Sequence, residues 1–321
     1  AASSGFTSVY MNAATMETKG YELSLNAIPV SGSNFTWDIL VNFTQMKSMV
    51  LELAPGVDNL FLGGFVEPQI RAVAGSEYGT IFGLDWTRAE DGTILINDDP
   101  TDSFRDGFPF TGPDMVAIGK TAPDWTANIT NTFSYKGLSL SFMFDIKKGG
   151  SMYNGTEYAM NNFGTSKATE KREVYYTPEG TIDFDRTPAE NIVVFEGVYG
   201  HLDASGAVVT SGVPNVTPVV LDQAWFRGQG SNFGGGPTSA AIQPTDWVRL
   251  RDISLSYDIP LKSNVVKLLQ VYVTGKNLFL ATPYTGIDPE TNLLGADNAQ
   301  GMDYFNNPGT KSYLAGLKIT F

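Results

Sequence analysis

Seven segments of this chain alternate regularly between apolar and polar residues, and this feature constrains the fold more than any other. In one of them Trp125, Ile129 and Phe133 share a face, and mainly Thr and Asn stand between them. A period of two is typical of β-strands with one apolar and one polar face. The predicted strands are 20–27, 35–44, 125–135, 138–147, 247–259, 266–280 and 311–321. The sequence therefore predicts an all-β, antiparallel fold.

The composition excludes several classes of function. The 321 residues include no Cys and a single His, so disulfides, thiolate sites and sites with two imidazoles are excluded. A net charge of -13 opposes the release of counterions on which nucleic-acid binding depends. Asp288 and Glu290 offer carboxylates for Ca²⁺ without the spacing of an EF-hand, and a turn role is favoured. We predict no enzyme activity, no metal, no cofactor and no nucleic-acid partner.

The connections between the predicted strands differ sharply in length. Turns near residues 32, 137 and 262 are a few residues long. The segments at about 54–121, 149–245 and 282–310 are long, polar and rich in Gly, Pro, Asn and Asp. Loops of this length are unusual in a compact domain and usually functional. Short turns at one end and long loops at the other are typical of outer-membrane β-barrels.

The hydropathy of the chain is compatible with a membrane barrel. The mean hydropathy is -0.09, and no run approaches the roughly 18 apolar residues of a spanning helix. Transmembrane strands carry their apolar residues at every second position, so their mean hydropathy stays low. Trp37, Trp125 and Trp247 lie near predicted strand ends, where membrane interfaces favour aromatic rings. A soluble β-sandwich with these aromatics in its core remains an alternative.

Several stretches carry a family resemblance: 12–23, 118–125, 131–136, 149–154, 248–257 and 271–279. In the first, the pair Lys19-Gly20 leads into a strand. These stretches resemble segments of the SusC/RagA class of TonB-dependent outer-membrane transporters. The resemblance implies a 22-stranded transmembrane barrel filled by a plug, of which residues 1–321 would supply the C-terminal third, about seven strands. Seven strands leave two open edges, so we expect the plug and an N-terminal part of the same barrel to be missing from this chain.

The last strand adds a second resemblance. Tyr313, Ile319 and Phe321 share its apolar face, and Gly316 lies within it. An alternating final strand that ends on an aromatic residue resembles the signal by which the barrel-assembly machinery recognises its clients. These four residues are the predicted assembly signal.

The family resemblance implies a function in the bacterial outer membrane. The whole protein would import oligosaccharides or peptides under a SusD-like lipoprotein, driven by the TonB complex, with its barrel in contact with lipid and lipopolysaccharide. The predicted substrate-binding residues lie in the loops and on the lumen face: Tyr153, Tyr199, Trp225, Phe226, Asp145 and Lys147. Packing of the loops is the competing explanation for the aromatics. A secreted glycan-binding β-sandwich and another outer-membrane receptor, either a siderophore receptor or an adhesin, remain alternative functions.

Overall fold

A computed structural model describes residues 12–99, 106–231, 235–261, 265–295 and 297–321. Its helices are α1 (Gly155–Phe163) and α2 (Gln223–Arg227). Within the described ranges, no helix is both long and apolar enough to cross a membrane. The strands are β1 (Ala14–Ser31), β2 (Phe35–Leu53), β3 (Asn59–Gly64), β4 (Gln69–Val73), β5 (Thr80–Trp86), β6 (Leu95–Asn97), β7 (Thr111–Lys120), β8 (Trp125–Tyr135), β9 (Leu138–Lys148), β10 (Ser151–Asn154), β11 (Ile192–Val193), β12 (Val198–Leu202), β13 (Val208–Pro214), β14 (Val219–Val220), β15 (Ile242–Pro244), β16 (Trp247–Ile259), β17 (Leu268–Ala281), β18 (Met302–Asp303) and β19 (Ser312–Thr320).

The largest sheet contains seven strands in the order β1-β2-β8-β9-β16-β17-β19. All neighbours are antiparallel, and their order in space follows the chain, which confirms the antiparallel all-β prediction. The turn predicted near residue 137 is present: Lys136 has φ 46° and Gly137 has φ 87°. Two positive φ angles are typical of the tight turns that match the twist of a hairpin. Residues 262–264, in the third predicted turn, lie outside the described residues.

The register gives this sheet one apolar and one polar face. One cross-strand row on the apolar face is Leu25, Val41, Ile129, Phe144, Leu250 and Phe279. A neighbouring row on the polar face is Ser24, Asn42, Asn128, Asp145 and Arg249. The apolar side chains stand exposed; Leu317 is 67% and Val273 is 53% accessible. The alternation predicted from the sequence is therefore an alternation between the two faces of one sheet.

A β-bulge interrupts β16 between Leu250 and Asp252, where both of its ladders change register. Strict alternation would place Arg251 with Ile253 on the apolar face. The bulge instead lets Arg251 reach Asp145 on the polar face. Bulges commonly redirect a side chain in this way.

The three long connections pack together into a single unit, here called the loop cap (the described parts of 54–121, 149–245 and 282–310). The cap contains a four-stranded sheet, β3-β4-β5-β7, and three smaller sheets. Two of the smaller sheets contain parallel pairs between different connections: β12 pairs with β6, and β10 pairs with β18. The cap has its own apolar core, made of Ile70, Ile81, Tyr153, Tyr158, Ala241, Ala299 and Met302. The loops thus form an interlocked layer of structure.

Candidate functional site

The polar face of β9 and β16 meets the loop cap at a cluster of charged residues. The register places Asp145 opposite Arg249 and Lys147 opposite Trp247. Asp145 and Lys147, which the sequence predicted to face the lumen, therefore lie two positions apart on the polar face. Arg249 and Arg251, near the start of β16, extend the same cluster toward segment 282–310.

Asp145 is the centre of the cluster and is only 8% exposed. It accepts hydrogen bonds from Asn128 Nδ2 at 2.7 Å, from Trp247 Nε1 at 3.3 Å and from Arg251. Arg251 also donates two hydrogen bonds to Glu290, from Nη1 at 2.8 Å and from Nη2 at 2.9 Å. Charge-assisted hydrogen bonds of this kind are stronger than neutral ones and fix the geometry of both partners.

A second ion pair joins the sheet to the cap. Arg249 donates to Asp288 through Nη2 at 2.6 Å and Nη1 at 3.2 Å. The two side chains are only 4% and 9% exposed. Asp288 Oδ1 also accepts from the backbone N–H of Glu290 at 2.9 Å, the kind of turn role that the sequence favoured over calcium binding. Arg249 Nη2 also lies 3.6 Å from Glu290 Oε2, but that carboxylate is 44% exposed, so Asp288 is the buried counter-charge of Arg249.

A cavity of about 470 Å³ lies beside this cluster, between the sheet and the cap. Lys147 lines the cavity, and its Nζ donates to Thr245 Oγ1 at 2.9 Å and lies 4.7 Å from the centroid of the Trp247 ring. Tyr78, Thr121 and Gln300 contribute from the loop cap. The walls therefore combine an aromatic ring with hydrogen-bond donors and acceptors, a combination that suits a polar organic molecule such as a sugar or a peptide.

None of the four predicted loop aromatics lines this cavity, whereas Phe226 lines a second cavity in the loop cap. Tyr153 is 1% exposed in the core of the cap, and Phe226 is 9% exposed. Trp225 stacks on Trp86, with centroids 6.4 Å apart, and on Phe108, and it contacts Phe195 at a tilted angle. Tyr199 Oη pairs with Thr217 Oγ1 at 2.7 Å. In this structure these side chains pack the loops together, and their role in substrate binding stays a prediction.

The last strand of the sheet displays the residues of the predicted assembly signal. Tyr313, Ile319 and Phe321 are 78%, 49% and 69% exposed. Gly316 lies opposite Tyr272, and a Cβ at Gly316 would stand 2.5 Å from the Tyr272 ring. Recognition by an assembly machinery stays a prediction, but the packing explains why a residue without a side chain occupies position 316.

Comparisons with known proteins give this arrangement a family context. The chain is 28% identical over 343 residues to TonB-dependent receptor P26 of Formosa agariphila, a match that covers 99% of the chain and 30% of the relative. It is 23% identical over 323 residues to TonB-dependent receptor SusC of Bacteroides thetaiotaomicron, covering 97% and 27%. The chain resembles TonB-dependent receptors of the SusC type along almost its whole length. No protein-family model matches it.

Solved structures give the same result for the fold. The RagAB peptide transporter superposes with a TM-score of 0.61 at 18% identity, over 99% of this chain and 31% of that one. The RagAB peptide importer in the 'open-open' state gives 0.58. The chain therefore spans about 30% of the length of the curated relatives that it matches. The resemblance identified from the sequence is confirmed.

Sequence reasoning missed the two arginines, and it did not predict that Asp288 and Glu290 would pair with them. Asp288 and Glu290 have the same two-residue spacing as Arg249 and Arg251, and this matching pattern is the one signal that could have revealed the pairing. Each carboxylate lies 39 residues from its arginine along the chain, so no local pattern links them.

Proposed function

We propose that this chain forms the C-terminal third of a 22-stranded outer-membrane barrel that belongs to a TonB-dependent importer. The observation that carries the proposal is the seven-stranded antiparallel sheet with one exposed apolar face and one polar face that bears paired charges. In a bilayer the apolar face contacts lipid, and the backbone groups are satisfied by the strand ladders. The polar face then lines the lumen.

The edges and lengths of the strands fit this arrangement. β1 and β19 are the two edges of the sheet, where strands of an N-terminal part of the same barrel would pair and close it. A tilted strand needs about 9–11 residues to cross the hydrocarbon core. β8 and β9 have 11 residues each, whereas β1 has 18 and β2 has 19, so this hairpin extends beyond the membrane.

The loop cap would lie on the extracellular side, where the long connections of such barrels are found. There a SusD-like lipoprotein would cover it and deliver oligosaccharides or peptides. A plug in the preceding part of the protein would couple the lumen to the TonB complex. The cavity beside Lys147 lies between the cap and the polar face, on the path that cargo would follow.

The first test is the behaviour of the native protein in outer membranes. The chain covers 30% of its relatives, so we expect a detergent-dependent species of roughly three times 34.7 kDa that changes mobility on gels when boiled. A 34.7 kDa monomer that needs no detergent would contradict the proposal and favour the soluble β-sandwich.

The second test separates an importer from the other outer-membrane alternatives. Uptake of a labelled oligosaccharide or peptide pool is measured in cells with and without TonB, and in cells with and without the SusD-like lipoprotein. An importer of this type loses uptake in both deletions. An adhesin is indifferent to TonB, and a siderophore receptor takes up iron complexes without the lipoprotein.

A further inference from the structure

A second cavity, of about 270 Å³, lies within the loop cap, and no residue of the charged cluster on β9 and β16 lines it. It forms where the end of α1, the short helical turn Lys167–Thr169 and α2 meet. Its polar lining consists of Asn161, Asn162, Thr169, Arg172, Gln223 and Arg227. The two cavities have no lining residue in common.

The two arginines of this cavity lack an acidic partner. Among the described residues, no carboxylate lies within 4.0 Å of the guanidinium of Arg172 or Arg227, whereas Arg249 and Arg251 are both paired. This is notable in a chain with 34 acidic and 21 basic residues. Two guanidiniums that line one cavity suit an oxyanion, because each offers several N–H donors in a planar fork.

The position of Arg172 is fixed by the surrounding backbone. Its Nη1 donates to the carbonyl oxygen of Thr169. Its guanidinium lies against Gly164, the left-handed residue that ends α1, where a Cβ would be 3.6 Å from Arg172 Cζ. Arg227 lies in the last turn of α2, and its side chain is exposed. One cation is therefore held in place by the fold, and the other is open to a ligand.

The remaining lining residues indicate which class of ligand bears the oxyanion. Asn161, Asn162 and Gln223 have amides, which both donate and accept hydrogen bonds, as sugar hydroxyls do. Asn162 is oriented by Ser231, whose Oγ donates to Asn162 Oδ1 at 3.1 Å. A carboxylate of a peptide side chain offers acceptors only, so it can pair with the amide N–H groups but not with the amide oxygens, to which a sugar hydroxyl can donate. The volume is just below the roughly 300–1,000 Å³ of pockets for drug-sized ligands, so it suits one unit of a polymer.

We propose that this cavity is a subsite for one acidic sugar unit, bearing a carboxylate or a sulfate, of an anionic oligosaccharide cargo. The inference rests on the proposed importer function, because it names the class of nutrient. It is tested by binding, which requires neither TonB nor transport.

The experiment is titration calorimetry on the full-length transporter in detergent. The probes are digalacturonate, the neutral disaccharide made by reducing its carboxyl groups, a monosulfated digalactose and the peptide Asp-Asp. We expect an acidic disaccharide to bind at least about tenfold more tightly than the neutral one, since hydrogen bonds to charged groups are worth about a factor of ten or more. Binding of digalacturonate rather than of the sulfated sugar, or the reverse, identifies the oxyanion.

Variants locate the site. Arg227→Gln should weaken the binding of the acidic sugar about tenfold, and the double variant with Arg172→Gln should reduce it to the level of the neutral sugar. Lys167→Gln removes a positive charge from an exposed side chain of the same loop outside the cavity, and it should change the affinity less than twofold. If Arg172→Gln fails to fold, Arg227→Gln decides alone, because the contacts of Arg172 with the backbone are then intact.

Three results would overturn the inference: equal affinity for acidic and neutral disaccharides, no effect of Arg227→Gln, or an affinity for Asp-Asp that matches that for the sugars. Uptake measurements distinguish a failure of the subsite proposal from a failure of the importer proposal. If cells with Arg227→Gln take up the acidic oligosaccharide as well as wild-type cells do, and this uptake depends on TonB, the subsite is contradicted and the importer is not. Arginine-dependent binding without any TonB-dependent uptake contradicts the importer and leaves the subsite.

Discussion

The seven-stranded sheet and the loop cap of this chain place their apolar side chains in opposite ways. In the sheet, Leu317 and Val273 are more than half exposed. In the cap, Ile70 and Met302 are completely buried. The cap therefore meets water with a core of its own, whereas the sheet presents its apolar residues outward, as a surface in contact with lipid does. The proposed barrel accounts for this difference, because its sheet would meet lipid and its cap would meet water.

The two regions also differ in how they are joined. The sheet is a simple antiparallel meander, but the cap contains parallel pairs that link separate connections. Ion pairs from Arg249 and Arg251 to segment 282–310 couple one region to the other. Four predictions test this comparison, beginning with the coupling between the regions.

The largest effect is expected where the two regions are joined. Asp288→Asn keeps the shape of the turn but leaves the buried Arg249 with only the partly exposed carboxylate of Glu290, 3.6 Å from its Nη2. The free energy of unfolding should therefore fall by up to about 3–5 kcal/mol. Urea unfolding in lipid vesicles, followed by tryptophan fluorescence, measures this change. Glu290→Gln is the matched control, because its carboxylate is 44% exposed and should contribute about 1 kcal/mol or less. Equal effects of the two variants would contradict the role of burial.

The next prediction tests whether the sheet faces lipid while the cap faces water, by making the same kind of substitution in both regions. Val273 in the sheet is 53% exposed and Val213 in the cap is 54% exposed. Val273→Arg should cost about 2–4 kcal/mol in a bilayer, as arginine does on a lipid-facing strand. Val213→Arg should change stability by no more than about 0.5 kcal/mol. Similar small costs for both, measured by the same unfolding assay, would show that Val273 faces water.

A smaller effect is expected within the sheet, where Tyr272 lies over Gly316. Gly316→Ala forces the ring to move and should cost about 1–3 kcal/mol. Tyr272→Leu should remove most of this penalty, so the double variant should be more stable than the sum of the two single changes predicts. Urea unfolding in lipid vesicles measures the three free energies, and heat-modifiability on gels checks that each variant folds. A purely additive result would rule out the contact as the cause.

The smallest effect concerns the cap at high pH. Burial, together with the hydrogen bond and the negative charge of Asp303, raises the pKa of Tyr284 above its ordinary value of 10.0. The unfolded chain then loses this proton before the folded one. The contribution of Tyr284 is fully present below pH 10 and is lost as the pH rises further, by up to about 1.4 kcal/mol per pH unit.

This pH dependence should be confined to the cap and should become shallower in Tyr284→Phe. Tyr158 and Tyr78, whose pKa values burial also raises, keep their own contributions. Hydrogen exchange or limited proteolysis at pH 9 and pH 11 compares the cap with the sheet in the same sample. The variant also removes the donor to Asp303, so its cap should be weaker than the wild type at pH 9. An unchanged slope between pH 9 and pH 11 in the variant would assign the effect to another group.

The sequence alone predicted the bounds of the sheet strands accurately wherever apolar and polar residues alternate along the whole strand. β8 and β16 begin and end at the predicted residues. β1 and β2 extend well beyond 20–27 and 35–44, to Ala14–Ser31 and Phe35–Leu53. Their outer parts contain polar residues such as Lys19 and Lys47 at positions that would be apolar within a bilayer. A strand that leaves the hydrocarbon no longer needs the alternation by which it was recognised.

What the sequence determined by itself was the two-faced sheet, its short turns, the placement of Asp145 and Lys147 on its polar face, and the family resemblance. Each of these depends on neighbours along the chain or on a repeating period. The tertiary structure alone decided the core of the cap, the bulge at Arg251, the pairing of Arg249 with Asp288 and the cavity beside Arg172 and Arg227. Those features depend on contacts between residues far apart in sequence, and a periodic pattern does not record which distant segment a side chain will meet.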